Sequence, residues 1–261
     1  MMDKDKLIDA LRQLAKRLNT ENISKSMMDA DRDTPCSSSY KRVFGSWGNA
    51  ISLAGLLTGK ITGRPWDPPI FVSDRAVEII EGELLGDGSL EATPTSGNSG
   101  FVHSTANFHY SIYLEQALLK SDISVSSETL PPRKINGKMQ RRIRTPSNQS
   151  FRQMLLDWYP LGIKIVPEKL ILTKTKCLHW YLGDGYVGGK NSRFSTCGFT
   201  WGEVHRLAEM LGKLGFKTSV DRHSGGYPVL RLLTAASRDF LDWIGPCPVI
   251  GYEHRWNLKG K

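Results

Sequence analysis

The sequence contains no apolar run that approaches the roughly 18 residues needed to cross a membrane, so no membrane partner is expected. It has only four cysteines, and the absence of a C-x-x-C pair argues against a zinc site and against a disulfide framework. The charged, amphipathic start of the chain is unlike a signal peptide. We therefore expect reduced thiols and a cytoplasmic-type compartment, such as the bacterial cytoplasm or an organelle matrix.

Acidic residues are scarce relative to basic ones. The 261-residue chain has 35 Lys and Arg residues against 26 Asp and Glu residues, which gives a net charge of +9. This balance favours a polyanionic partner, and nucleic acid is the commonest such partner. The segment 133–152 has no acidic residue but carries Arg133, Lys134, Lys138, Arg141, Arg142, Arg144 and Arg152. On alternating strand positions, one set of these cations would face a groove and the other set would face away.

The N-terminal residues have a helical period. Leu7, Leu11, Leu14 and Leu18 share one face of a predicted amphipathic helix. A second helical stretch is predicted over 40–54, with a glycine as its C-terminal cap. We predict a small helical module over 1–57 and a linker over 58–72, because the latter is rich in glycine and proline.

The tetrapeptide Leu-Gly-Asp-Gly occurs twice, at 85–88 and 182–185, and each copy ends an apolar, helix-like run. The predicted helices and strands follow in the same order after both copies, which indicates an internal duplication. A carboxylate at a helix C-terminus is unfavourable unless a cation offsets it, so Asp87 and Asp184 suggest a shared cation. For one copy alone the alternative is an ordinary helix-to-strand turn, because Gly and Asp are common turn residues.

On these two motifs the chain resembles the LAGLIDADG homing endonucleases, over roughly residues 74–261. The resemblance implies an α+β fold in which two pseudo-symmetric αββαββα halves, 73–167 and 168–261, form a saddle of two antiparallel sheets. The two motif helices would pack side by side, and Gly82 and Gly86 lie on one helix face that permits close approach. His179 departs from the family pattern, which has a glycine there. We expect an asymmetric or slightly wider interface, with the imidazole packed or partly exposed and not a ligand.

The resemblance also implies the site residues. Asp87 and Asp184 would be catalytic and would hold the metal together with Gly86 and Gly183. The cofactor would be Mg²⁺, or another divalent cation such as Mn²⁺ or Ca²⁺. A basic residue near the end of each half is expected beside the scissile phosphate, and the candidates are Lys164 and Arg255.

DNA-binding residues are predicted in three places. The first half contributes Arg133, Lys134, Lys138, Arg141, Arg142 and Arg144, and the second contributes Lys190, Arg193, Arg222 and Arg231. The segment 40–56 resembles the helical repeat appended to some homing endonucleases, which makes Lys41 and Arg42 candidate phosphate contacts. The alternative for all of these cations is a solvated, solubilising surface.

The function predicted is a monomeric, site-specific double-strand DNA endonuclease that hydrolyses phosphodiesters with a divalent metal. The main alternative is a maturase of the same fold, which would bind intron RNA and have little or no nuclease activity. Both aspartates favour the nuclease, because a binding protein gains nothing obvious from paired carboxylates that repel DNA. A DNA-binding transcription regulator fits the charge but leaves the second Asp-Gly motif unexplained.

Overall fold

The structure, a computed structural model, describes residues 4–31, 33–56, 70–93, 98–131 and 137–258. The described residues form two compact units. One unit is drawn from 1–70, 91–100 and 147–163, and the other is drawn from 71–90, 101–146 and 164–261. Most of the predicted linker lies outside the described residues. Among the described helices, none has the length and apolar character required to cross a membrane.

The N-terminal module consists of four helices, α1 (Lys4–Arg17), α2 (Lys25–Ala30), α3 (Ser37–Phe44) and α4 (Trp47–Leu53). The predicted leucine face of α1 is largely buried, in a core that also contains Tyr40 and Ile51. The single helix predicted over 40–54 was wrong. It divides because Gly45 adopts a φ of 77° and the Ser46 hydroxyl then caps α4 by accepting from the backbone N–H of Asn49.

The rest of the chain repeats one order of elements. The first half comprises α5 (Asp74–Leu85), β1 (Ser89–Ala92), β2 (Ser99–Thr105), α6 (Phe108–Leu119), β3 (Ser126–Leu130), β4 (Gln140–Arg144) and α7 (Arg152–Trp158). The second half comprises α8 (Lys174–Asp184), β5 (Gly185–Gly188), β6 (Asn191–Ser195), α9 (Trp201–Lys213), β7 (Thr218–Arg222), β8 (Pro228–Leu232) and α10 (Thr234–Ile244). The predicted αββαββα duplication is therefore confirmed.

Each half contains a four-stranded antiparallel sheet, with strand orders β1-β2-β4-β3 and β5-β6-β8-β7. The equivalent orders are those expected of a duplicated unit. One face of each sheet packs on helices, and on this face Ile143 of β4 and Phe194 and Leu230 of the second sheet are fully buried. Side chains alternate along a strand, so the neighbours of these residues project from the other face, here called the open face.

Candidate active site

The helices α5 and α8, here called the motif helices, pack directly against each other. A Cβ atom added at Gly82 would lie 2.6 Å from the carbonyl oxygen of Lys176 and 2.7 Å from the Cβ atom of His179. At the C-terminal ends, a Cβ atom added at either Gly86 or Gly183 would lie 3.4 Å from the other's Cα atom. The predicted close approach of the helices through their glycines is confirmed.

The predicted asymmetry at His179 is also confirmed. The glycine of one helix faces the histidine of the other, so the missing side chain of Gly82 leaves room for the imidazole. His179 is only 2% exposed, so of the two placements that were expected the imidazole is packed and not partly exposed. At the position of Gly82, a glycine on one motif helix alone is therefore sufficient for the two helices to come close.

The two aspartates lie at the paired helix ends. Asp184 is the last residue of α8, and Asp87 follows the glycine that ends α5. Their backbones are adjacent, since the Asp87 nitrogen lies 3.4 Å from the position of a Cβ atom on Gly183. Burial and, to a smaller extent, the negative charge of Asp87 raise the pKa of Asp184 to about 7. A buried carboxylate that lies close to a second one is an environment that a shared cation would stabilise.

A basic side chain reaches the end of each motif helix. The Lys164 ammonium donates to the carbonyl oxygens of Gly86, at 2.9 Å, and Gly88, at 2.7 Å. The Arg255 guanidinium donates through Nη1 to the carbonyl oxygens of Leu182, at 2.5 Å, and Gly183, at 3.2 Å. These cations offset the partial negative charge of the helix C-termini. Lys164 and Arg255 thus lie at equivalent places in the two halves.

Lys164 is partly withdrawn from solvent. Burial lowers the pKa of its ammonium to about 8, although Asp184 and Asp87 act in the opposite direction. The group therefore keeps a positive charge at neutral pH while it lies close to both carboxylates. Such a cation is suited to stabilising negative charge that develops on a phosphate.

The donor set fits a divalent metal that retains water. In the described ranges, no group of three or more His, Cys, Asp or Glu residues is arranged to hold an ion. Two carboxylates suit Mg²⁺ nevertheless, because this ion usually keeps several waters and takes further oxygens from substrate phosphates. The carbonyls of Gly86 and Gly183, which were predicted as metal ligands, each accept a hydrogen bond from a cation.

A buried polar cluster adjoins the motif helices, and it was not found from the sequence. Glu83 of α5 is fully buried, and its Oε1 accepts a 2.6 Å hydrogen bond from the Tyr110 hydroxyl. Nδ1 of His179 lies 2.8 Å from the same oxygen, and Nδ1 of His103 lies 3.1 Å from Oε2. Burial alone would raise the pKa of Glu83, but its interactions with His103 and His179 outweigh burial and lower the pKa to about 2. The one sequence feature that pointed to this cluster was an acidic residue, Glu83, directly after Gly82 in the apolar, helix-like run.

The basic residues of β4 divide between the two faces of the first sheet. Arg141 shares the helix side with Ile143, where it bonds to Ser111 and Glu115 of α6. Arg142 and Arg144 alternate with Ile143 and therefore lie on the open face. Lys138 is exposed just before the strand, while Arg133 and Lys134 lie outside the described residues.

The basic segment 133–152 contains no acidic residue, but in the fold it has an acidic neighbour from another strand. Oε1 of Glu128, on β3, lies 3.8 Å from Nη1 of Arg142 and 3.8 Å from Nε of Arg144. The sequence of the segment alone does not reveal this negative charge, because the charge belongs to another strand. At these distances the interaction is weak, so the open face keeps a positive character.

The second sheet also has arginines on both faces. Arg193 and Arg231 lie opposite each other on β6 and β8 and project from the open face, and Asp221 lies 2.8 Å from Nε of Arg231. Arg222 is on the helix side, with Cζ 5.2 Å from the centre of the Trp201 ring. Lys190 is exposed in the turn between β5 and β6.

In the N-terminal module, Lys41 and Arg42 are exposed in the last turn of α3. Phe44 and Trp47 instead pack against Tyr40, with ring centroids 6.3 and 5.6 Å from its ring. The aromatic residues therefore belong to the core, as predicted, and the cations are left on the surface.

Two family models match the chain. One, described as the LAGLIDADG DNA endonuclease family, covers residues 77–240. The other, described as the homing endonuclease associated repeat, covers residues 2–57 and thus the N-terminal helices.

Curated relatives match over part of their length. The cytochrome b mRNA maturase bI2 of Debaryomyces hansenii is 27% identical over 147 residues, which are 52% of this chain and 55% of that protein. The protein of the same name from Saccharomyces cerevisiae is 27% identical over 165 residues, 56% of this chain and 38% of that protein. The uncharacterized protein MJ1098 of Methanocaldococcus jannaschii is 37% identical over 93 residues, 34% of this chain and 36% of that protein. The chain thus spans about half, or less, of the length of these relatives.

A similar fold is present in the homing endonuclease I-WcaI, whose structure was solved bound to its DNA recognition sequence. The TM-score is 0.60 at 16% identity, and the match covers 71% of this chain and 88% of that chain. The endonuclease family model itself covers more than half of this chain, including both Gly-Asp-Gly motifs. The chain therefore belongs to the LAGLIDADG DNA endonuclease family.

Proposed function

We propose that this protein is a site-specific endonuclease that cuts both strands of a DNA duplex with divalent cations held by Asp87 and Asp184. The observation that carries the proposal is the pair of carboxylates at the adjoining ends of the motif helices, each beside a basic side chain. One aspartate and one cation per half is the arrangement expected for one scissile phosphate per half. Such a metal, when bound, would activate a water molecule and stabilise the leaving oxygen.

The two cations keep donors for a substrate. An ammonium group has three N–H donors, and two carbonyls engage Lys164. A guanidinium has five, and the bonds to Leu182 and Gly183 use only Nη1 of Arg255. The remaining donors of both groups are available for phosphate oxygens, while the carbonyl bonds fix where each group lies. Fixed donors of this kind stabilise a transition state without costly reorganisation.

DNA binding is assigned to the open faces of the two sheets. Arg142 and Arg144 supply positive charge in the first half, and Arg193 and Arg231 supply it in the second. Arginine neutralises phosphates and can also bond guanine in the major groove. Because the two halves carry different side chains, a single chain would recognise an asymmetric target. Lys41 and Arg42 would add phosphate contacts from the N-terminal module.

The test uses single-residue variants and a defined DNA probe. The probe is a plasmid that contains the two DNA sequences flanking this gene's host element, joined as they would be without the element. The protein and the plasmid are incubated with Mg²⁺ or Mn²⁺. Asp87→Asn and Asp184→Asn should each lower double-strand cleavage by at least about 100-fold while the affinity for the duplex is retained. Asp242→Asn, an exposed position on α10, is the matched control and should cut like the wild type. Cleavage of both strands by both active-site variants would refute the assignment.

A second candidate function has its own support, because two of the relatives are named as cytochrome b mRNA maturases. On this alternative the open faces would grip intron RNA. Filter binding with the transcribed host intron, beside the plasmid assay, separates the two. Tight, specific RNA binding without metal-dependent cleavage would favour the maturase.

A further inference from the structure

The two basic side chains of the proposed active site are held differently. Lys164 is fixed by the carbonyls of Gly86 and Gly88. The Arg255 guanidinium has carbonyl bonds too, but its Cζ also lies 4.0 Å above the centre of the Tyr252 ring. A cation over an aromatic face at this distance is attracted by the negative face of the ring. A planar guanidinium can also stack on an aromatic ring, and a guanidinium stacked in this way has fewer orientations open to it.

The Tyr252 ring is itself in contact with a residue of the first half. It lies in a small buried cluster with Tyr110, Leu182 and Val249. The centroids of the Tyr110 and Tyr252 rings are 5.5 Å apart at an interplanar angle of 41°. Tyr110 belongs to α6. An element of the first half therefore supports the Tyr252 ring, on which Arg255 of the second half lies.

Tyr110 is anchored in turn by the buried cluster around Glu83. Its hydroxyl donates to Oε1 of Glu83 at 2.6 Å, and its ring meets the His103 ring edge-on with centroids 5.2 Å apart. Glu83 has no exposure to solvent, and His179 holds it from the opposite motif helix. A continuous path of contacts therefore runs from Glu83 through Tyr110 and Tyr252 to Arg255.

We infer that Tyr252 is a positioning residue for Arg255, and that the Glu83–Tyr110 pair of the first half keeps it in place. The inference rests on the proposed function, because it gives Arg255 a phosphate to contact. Its consequence is asymmetric. Loss of the Tyr252 ring should lower the rate of cleavage of the DNA strand whose phosphate Arg255 contacts. The rate on the strand whose phosphate Lys164 contacts should be unchanged.

The experiment follows the two strands separately, with each 5′ end of the probe duplex labelled in turn, under single-turnover conditions with Mg²⁺. Arg255→Ala and Lys164→Ala first identify which strand each cation serves. Tyr252→Leu should then slow the Arg255 strand by about 10-fold, the effect expected for a partly desolvated cation–π contact. The rate on the other strand and the affinity for the duplex should stay as in the wild type. Tyr252→Phe keeps the ring and should recover most of the lost rate.

Three outcomes would overturn the inference: equal slowing of both strands by Tyr252→Leu, no slowing of either, or a Tyr252→Phe variant as slow as Tyr252→Leu. If Tyr252→Leu does not fold, Tyr110→Phe replaces it, since it removes only the hydroxyl that bonds Glu83. This variant should slow the same strand by a smaller factor, and unchanged rates would reject the path through Glu83.

A readout independent of cleavage separates this inference from the proposed function. The Arg255 Nε–H resonance in ¹⁵N-labelled full-length protein can be assigned by its loss in Arg255→Lys. Its heteronuclear NOE should be high in the wild type and in Tyr252→Phe and low in Tyr252→Leu. If the wild type cuts neither strand, the proposed nuclease fails, yet the NOE still decides whether Tyr252 orders Arg255. Equal NOE values in all three proteins would reject the positioning role.

Discussion

Nδ1 of His179 lies 2.8 Å from Oε1 of Glu83, and both side chains are buried between the motif helices. The two residues come from different halves of the chain. Where a symmetric pair of helices would place glycine against glycine, this interface places Gly82 against a histidine that bonds the next residue, Glu83. The contact between the two motif helices is therefore asymmetric. Neither helix could make the same contact with a second copy of itself.

The first prediction concerns stability. Glu83→Ala should lower the free energy of unfolding by about 3–5 kcal/mol, because it leaves the buried imidazole of His179 and the buried hydroxyl of Tyr110 without their shared partner. Urea denaturation measures the change. Glu78→Ala, on the same helix but not buried, is the control and should change the value by no more than about 0.5 kcal/mol. A similar small effect for both variants would contradict a stabilising role of the buried carboxylate.

The second prediction concerns pH. Since the pKa of Glu83 is lowered to about 2 in the folded state, the ionised group stabilises the fold above its ordinary pKa of about 4.3. That stabilisation should be lost as the pH falls from about 4.5 toward 2. The difference in unfolding free energy between the wild type and Glu83→Gln should thus be largest near neutral pH and shrink in acid. A difference that does not vary with pH would mean that Glu83 is uncharged in the folded protein.

The repeated motif was sufficient to predict the duplicated order of elements and the placement of the two aspartates at helix ends. Asp87 and Asp184 are at paired helix ends because two like sequences fold alike, and the order of elements can be read from local periodicity. Lys164 and Arg255 were instead candidates implied by the resemblance to homing endonucleases, which places a basic residue near the end of each half. The duplication depends only on order along the chain, which a sequence carries directly.

The buried cluster could not be predicted, because its members are far apart along the chain. Glu83, His103 and Tyr110 belong to three elements, and nothing in a local pattern shows that they share one pocket. The same reason explains Arg141 and Arg142. Alternation predicts that they face opposite ways, but which of them meets a carboxylate depends on Glu115 and Glu128 from other elements.

The third prediction tests the close contact of the motif helices. Gly82→Ala would bring a Cβ atom to 2.6 Å from a backbone oxygen of α8, so the helices must separate. Overpacking of this kind costs about 1–3 kcal/mol of unfolding free energy. Gly212→Ala is the control, because nothing lies within 4 Å of the added atom. This exposed position of α9 should gain up to about 1 kcal/mol from the higher helix propensity of alanine. Equal effects of the two substitutions in thermal or urea unfolding would refute the contact.

The fourth prediction concerns the open face of the second sheet. Arg193 lies directly opposite Arg231, and two like charges facing each other are unfavourable without an anion between them. Asp221 bonds Arg231, so the positive charge of Arg193 is the less compensated of the two. A DNA phosphate or a guanine edge would supply the missing acceptor. Arg193→Ala should therefore weaken binding to the probe duplex, whereas Arg238→Ala, which removes the same charge from an exposed site on α10, should not.

Salt titrations distinguish the two kinds of contact at Arg193. If its partner is a phosphate, the slope of log K against log salt concentration should fall by about 0.9 in Arg193→Ala, with the loss of affinity shared by all sequences. If its partner is a guanine, the loss of about 1–3 kcal/mol should be confined to targets that keep that base pair. Binding that is unchanged at every salt concentration would instead mean that the open face of the second sheet does not meet DNA at this position. The arginine pair would then need another anion to explain it.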